Sequence, residues 1–108
     1  MLSRDIHYGK PTVANAIDHL DIFLKEVKRS EKIVEVITGY GSTGGTSKIK
    51  NAVIVRLEEL KTQKYIKDYI CGNELDIFNA KYQNFKYRDL IPEDVKKIRN
   101  SGAIYIVL

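Results

Sequence analysis

Ile37-Thr38-Gly39-Tyr40-Gly41-Ser42-Thr43-Gly44-Gly45-Thr46-Ser47-Lys48-Ile49 is the stretch on which the fold turns. Ahead of it, Ile33-Val34-Glu35-Val36-Ile37 is an apolar, β-branched run that predicts a buried strand. Behind it, Ile49, Val53, Leu57 and Leu60 recur at helical spacing, which predicts an amphipathic helix from about Ser47 to Lys61. A glycine loop between a strand and a helix bares main-chain N–H groups beside the positive end of a helix dipole. That arrangement suits a phosphate or another anion.

Working outward, the remaining segments fall into alternation. Leu2–His7 predicts a short strand with Leu2, Arg4 and Ile6 on one face and Ser3, Asp5 and His7 on the other. Thr12 has the character of an N-cap, and Val13, Ile17, Leu20, Leu24 and Val27 mark one stripe of a helix to about Arg29. Tyr65–Cys71 predicts a third strand, and Pro92 opens a short helix over Glu93–Arg99 that Asn100-Ser101-Gly102 closes. Ala103–Leu108 is the final strand. Residues 72–91 have no clear period and outrun an ordinary connection. The order predicts one α/β domain over residues 1–108, with parallel pairing across the first two crossovers.

Composition narrows the classes. With 108 residues, 44% hydrophobic and 30% charged, the chain supports one small core and is not expected to be disordered. No apolar run is long enough for a membrane span and no signal peptide is evident, so no membrane partner is expected. The single cysteine, Cys71, excludes an internal disulfide and points to a reducing cytoplasm, with packing as its expected role. Of the net charge of +4, the whole excess falls in residues 38–67, where Lys48, Lys50, Arg56, Lys61, Lys64 and Lys67 face only Glu58 and Glu59. A basic patch behind the loop favours polyanions over neutral metabolites.

Two motifs carry the chemistry. Gly39, Gly41 and Gly44 fit the spacing of a dinucleotide fingerprint, but the loop follows the second strand, and no acidic residue is placed to hold a ribose. Gly45 and Thr46 stand where a Walker A loop needs lysine and a hydroxyl residue. The plain alternative is a tight turn that merely needs glycine. Asp5 and His7 are expected to project together at the carboxyl end of their strand, the edge at which open α/β sheets bind ligands. A carboxylate there can orient the imidazole for proton transfer.

Asp5-Ile6-His7 followed by Thr12-Val13, then Ile37 through Gly44 opening a helix, then Gly102-Ala103-Ile104-Tyr105-Ile106-Val107-Leu108, resembles the Smr (small MutS-related) domain family. The likeness spans nearly the whole chain, with 72–100 as an insertion or divergent section. It implies a two-layer α/β sandwich, a four-stranded mixed sheet of β-α-β-α-β-β order like the C-terminal domain of translation initiation factor 3. It also implies binding of RNA or DNA, endonuclease activity in some members, and for some a role at the ribosome. By position, Asp5 and His7 match the family's first motif and become the catalytic candidates. Thr38, Gly39, Tyr40, Gly41 and Gly44, with Lys48 and Lys50 adding charge, become the phosphate-binding candidates.

Two departures bear on chemistry. Tyr8 stands where the family has glycine, and Thr38 stands where its loop opens with histidine. RNA cleavage through the 2′-hydroxyl wants one group to take a proton and another to deliver one. His7 serves once, whereas Thr38 does not titrate near neutrality and Tyr40 ordinarily ionises near pH 10. No metal is expected, because Asp5 is the one carboxylate evident at this edge and hydrolytic metal sites want more oxygen ligands; no other cofactor is implied. Two readings therefore lead, a nuclease with RNA favoured over DNA, and a non-catalytic adaptor for RNA, a ribosome or a protein, with a small-molecule phosphate or nucleotide enzyme third. In Lys81-Tyr82-Gln83-Asn84-Phe85-Lys86-Tyr87-Arg88, aromatics alternate with cations. Packing is the favoured role for these rings over base stacking.

Overall fold

The computed structural model of the protein describes residues 1–39 and 46–108. Four strands, β1 (Leu2–Asp5), β2 (Ile33–Ile37), β3 (Asp68–Cys71) and β4 (Ala103–Val107), form one mixed open sheet in the order β1-β2-β4-β3. Helix α1 (Val13–Val27) connects β1 to β2, and α2 (Thr46–Thr62) connects β2 to β3. Between β3 and β4 the chain makes a 3₁₀ turn at Gly72–Glu74, helix α3 (Ala80–Asn84), a second 3₁₀ turn at Arg88–Leu90 and helix α4 (Glu93–Ile98). No helix among the described residues is long and apolar enough to cross a membrane.

β1 and β2 pair in parallel, as the first crossover requires, with Leu2 opposite Val34 and Asp5 opposite Ile37. The second crossover departs from expectation, since β3 does not pair with β2. β4 enters between them and runs antiparallel to both, with Ile106 opposite Val34 on one side and Tyr69 on the other. The most apolar strand therefore takes a central position, and every residue of β4 is buried.

Both long helices lie on one face. α1 buries Ala16, Leu20, Phe23, Leu24 and Val27, and α2 buries Ile49, Val53, Leu57 and Leu60, against Val34, Val36, Ile104 and Ile106. Removing each such large side chain from water stabilises the fold by about 1.5–3 kcal/mol. Thr12 caps α1 by accepting a 3.1 Å bond from the Asn15 main-chain N–H. Val13 has the angular position of the stripe but stands in the first turn and is exposed; Ala16 and Phe23 complete the packed surface instead.

The second face supplies the other difference. Over β3, β4 and part of β2 it carries a separate core in which Leu75, Phe85 and Ile91 pack on Ile33, Ile70, Ala103, Tyr105 and Val107. The irregular 72–91 segment therefore makes a third layer over half of the expected two-layer sandwich. Over β1 that face stays open, with Ser3 and Asp5 exposed. Pro92 is the N-cap of α4 rather than its first residue, with Glu93 and Asp94 in the first turn. After Arg99 in the left-handed conformation, φ 52°, the chain turns into β4.

Candidate functional site

The carboxyl ends of β1 and β2 and the entry to β4 share one rim. Pairing continues past β1, since the Ile6 N–H donates to the Ile37 carbonyl at 3.0 Å, and this delivers His7 beside Thr38 and Gly39. Gly39 has φ +81°, and a Cβ built on it would stand 3.0 Å from both Cγ and Nδ1 of His7. The imidazole therefore lies directly against the first glycine of the loop, and any side chain there would displace it. On the opposite side, a Cβ on Gly102 would come within 3.1 Å of the Gly39 carbonyl carbon. Gly39 is thus a bare main-chain layer between the imidazole and the start of β4. Asp-x-His and the loop entrance, more than thirty residues apart in sequence, meet as expected.

Other expected roles do not survive the geometry. Asp5 does not orient the imidazole: its Oδ1 accepts a 2.8 Å bond from the main-chain N–H of His7, an Asx-type turn that fixes the chain where β1 ends. Thr38 is 0% exposed, and both its N–H (2.8 Å) and its Oγ1 (3.3 Å) donate to the Gly102 carbonyl. That side chain latches β2 to the start of β4 and offers nothing to a ligand at the surface. Lys50 is half-buried and donates from Nζ to the Ser101 carbonyl at 3.0 Å. It lines a cleft of about 490 Å³ with Tyr69, Cys71, Glu74 and Lys81, at the β3 edge rather than at His7. Lys48 remains an exposed cation near the start of α2. Tyr40, Gly41 and Gly44 lie outside the described residues.

The basic excess of residues 38–67 does not form one patch. Arg56 grips Asp21 through two 3.1 Å bonds and approaches Glu59 at 3.8 Å. Lys61 pairs with Asp68 at 3.2 Å. α2 runs away from the rim, so Lys61, Lys64 and Lys67 lie at its far end, which periodicity alone did not separate from the loop. The alternating aromatics pack as favoured: Phe85 is buried, and Tyr82 and Tyr87 rest against the second core. Lys81 places its ammonium 4.1 Å above the Tyr69 ring. Cys71 is buried, and burial, aided by Glu74, pushes its thiol up to about 11, the behaviour of a packing residue.

Two contributors escaped the sequence reading. Gly102 was legible only as the start of a strand, yet it spaces Gly39 and accepts both Thr38 bonds. Tyr8, at 86% exposure, projects from the rim directly after His7. His19 is half-buried, with Nε2 3.3 Å from Arg4 Nη1 on the helix-covered face, remote from His7. Chemically, the rim offers one imidazole whose ring takes no side-chain hydrogen bond among the described residues. No family model, no curated protein and no solved structure matches the chain.

Proposed function

We propose that the chain is an Smr-like nucleic-acid-binding domain, with the fold of the C-terminal domain of translation initiation factor 3. In this reading its rim seats a backbone phosphate of RNA, or less favourably DNA, beside His7 and the entrance of the glycine loop. The observation that carries the reading is the contact of the His7 ring with the bare Gly39 main chain. It joins a side chain able to bear positive charge to a loop type suited to anions, on the edge where such sheets take ligands. Lys48 adds a long-range attraction.

Binding without cleavage is the better supported form. Among the described residues the proton relay wanted for phosphodiester cleavage has one member, because Thr38 is enclosed and Asp5 serves the main chain. A nuclease reading keeps one support, the rim imidazole, whose ring takes no side-chain hydrogen bond among the described residues.

Labelled single-stranded and hairpin RNA, incubated with the protein and with a His7→Ala variant, separate the two. A binder retains intact RNA and loses affinity as salt rises, and Lys48→Ala lowers the salt slope by about 0.7 on a single strand. Product formed by the parent and not by His7→Ala establishes the nuclease. Absence of binding at low salt removes both readings.

A further inference from the structure

At the far end of α2 from the glycine rim lies a second concentration of positive charge that the motifs do not account for. Lys25, Lys28 and Arg29 follow at helical spacing on the last turn of α1 and its exit, so they share a face. With Tyr65 they line a cleft of about 400 Å³. An adjoining cleft of about 240 Å³ shares Lys25 and Tyr65 and reaches Arg56.

The cations of this cleft differ from six others on the surface. Arg4, Arg56, Lys61, Lys81, Lys96 and Arg99 all hold carboxylates. Among the described residues Lys25, Lys28 and Arg29 hold none, and neighbouring Glu26 is turned to Arg4 at 3.3 Å. The Lys28 ammonium is nevertheless fixed, donating to the Tyr65 carbonyl and lying 4.8 Å over the Tyr65 ring. Cations in a last helical turn ordinarily answer the helix dipole. That dipole is worth roughly half a charge, against three here. Like charges on adjacent turns also repel, so packing gives no reason to gather them. Lys64 and Lys67 flank Tyr65 in sequence and extend the positive field.

We propose that this cleft is a second phosphate-binding site, taking the backbone of a nucleic-acid segment separate from the one at the rim. The identity of the ligand rests on the reading above; the charge and shape of the cleft do not. α2 has 17 residues and so sets the two sites about 25 Å apart. Exposed Glu58 and Glu59 lie at the same end of α2 as Arg56, and six nucleotides at about 3.4 Å each fall short of that separation, so a short strand does not serve both. Arg29 supplies the planar fork that matches a phosphate, and Lys25 and Lys28 supply point charges.

Titration at low salt with a six-nucleotide RNA is expected to give two bound strands per chain. A Lys25→Gln/Arg29→Gln double variant, which leaves the structural Lys28 in place, is expected to bind one. With a longer single strand its salt slope falls by about 1.4, and affinity drops on the order of ten-fold. Lys48→Gln, with an unchanged circular dichroism spectrum as for the double variant, weakens the other site instead. Two strands still bound by the double variant, or one strand in the parent lost only through Lys48, overturn the second site and leave the rim reading standing. RNA binding absent from every variant overturns both. Anionic phospholipid vesicles held by the parent and released by the double variant, with RNA binding unchanged, assign the cleft to a lipid surface and overturn the proposal.

Discussion

Gly39 concentrates two constraints in one residue, a positive φ and a side-chain-sized gap already filled by the His7 ring. Gly39→Ala is expected to cost about 1–3 kcal/mol, from backbone strain together with displacement of the ring. Chemical denaturation of Gly39→Ala, His7→Ala and the double variant checks this. The double variant should be more stable than the sum of the two losses predicts, since deleting the imidazole opens the gap while the strain of φ remains. Cys71 gives a residue-scale test in pH. Its thiol rises from 9.0 to about 11 in the fold. Between those values the unfolded chain has released a proton that the folded chain keeps, so stability falls as pH climbs through that window, by about 2–3 kcal/mol when complete. Equilibrium unfolding at pH 8 and pH 10.5, with Cys71→Ser as reference, measures the Cys71 share; equal slopes in both proteins would refute it. At the residue scale the sequence brings His7 and Gly39 to one rim, as the structure does, whereas Asp5 and Thr38 bond to main chain. Side chains this short choose between main-chain and ligand partners according to their neighbours, for Asp5 the N–H of His7 two residues on and for Thr38 the carbonyl of Gly102, distant along the chain.

At the scale of elements, local signals were most legible where one residue decides a boundary. Thr12 caps α1 as its type and place predict, and Thr12→Ala should cost about 1 kcal/mol, read as a lowered denaturation midpoint with unchanged denaturant slope. The stripes of α1 and α2 and the span of β2 were legible because their periods are regular. The 72–91 segment was not, because it is assembled from turns of three to five residues held by particular bonds. Asn79, for example, caps α3 through its Oδ1, which accepts from Lys81 at 2.9 Å and Tyr82 at 3.3 Å. Short elements of this kind present too few positions for a period to emerge.

For the whole molecule, the third layer changes what the irregular segment is. Sequence alone reads 72–100 as an insertion or divergent section, whereas Phe85, Leu75 and Ile91 complete a core that covers β3 and β4. Phe85→Ala should therefore cost about 3–5 kcal/mol, close to that of a central core residue, and a thermal or denaturant titration checks it. A loss below about 1 kcal/mol would return the segment to the status of a dispensable loop. The strand order was not legible for a related reason. Element order fixes the direction of a crossover strand but not whether a later strand enters beside it, and β4 did so because it is apolar on both faces.

That central β4 has a consequence for biosynthesis. Translation delivers β1, β2 and β3 first, yet within the sheet β2 and β3 are joined through Ala103–Val107. A nascent chain still holding those residues inside the ribosomal exit tunnel has the β1–β2 pair and β3 unjoined, and α1 and α2 lack Ile104 and Ile106 beneath them. The four-stranded sheet is complete once residue 107 has emerged and β4 lies between β2 and β3.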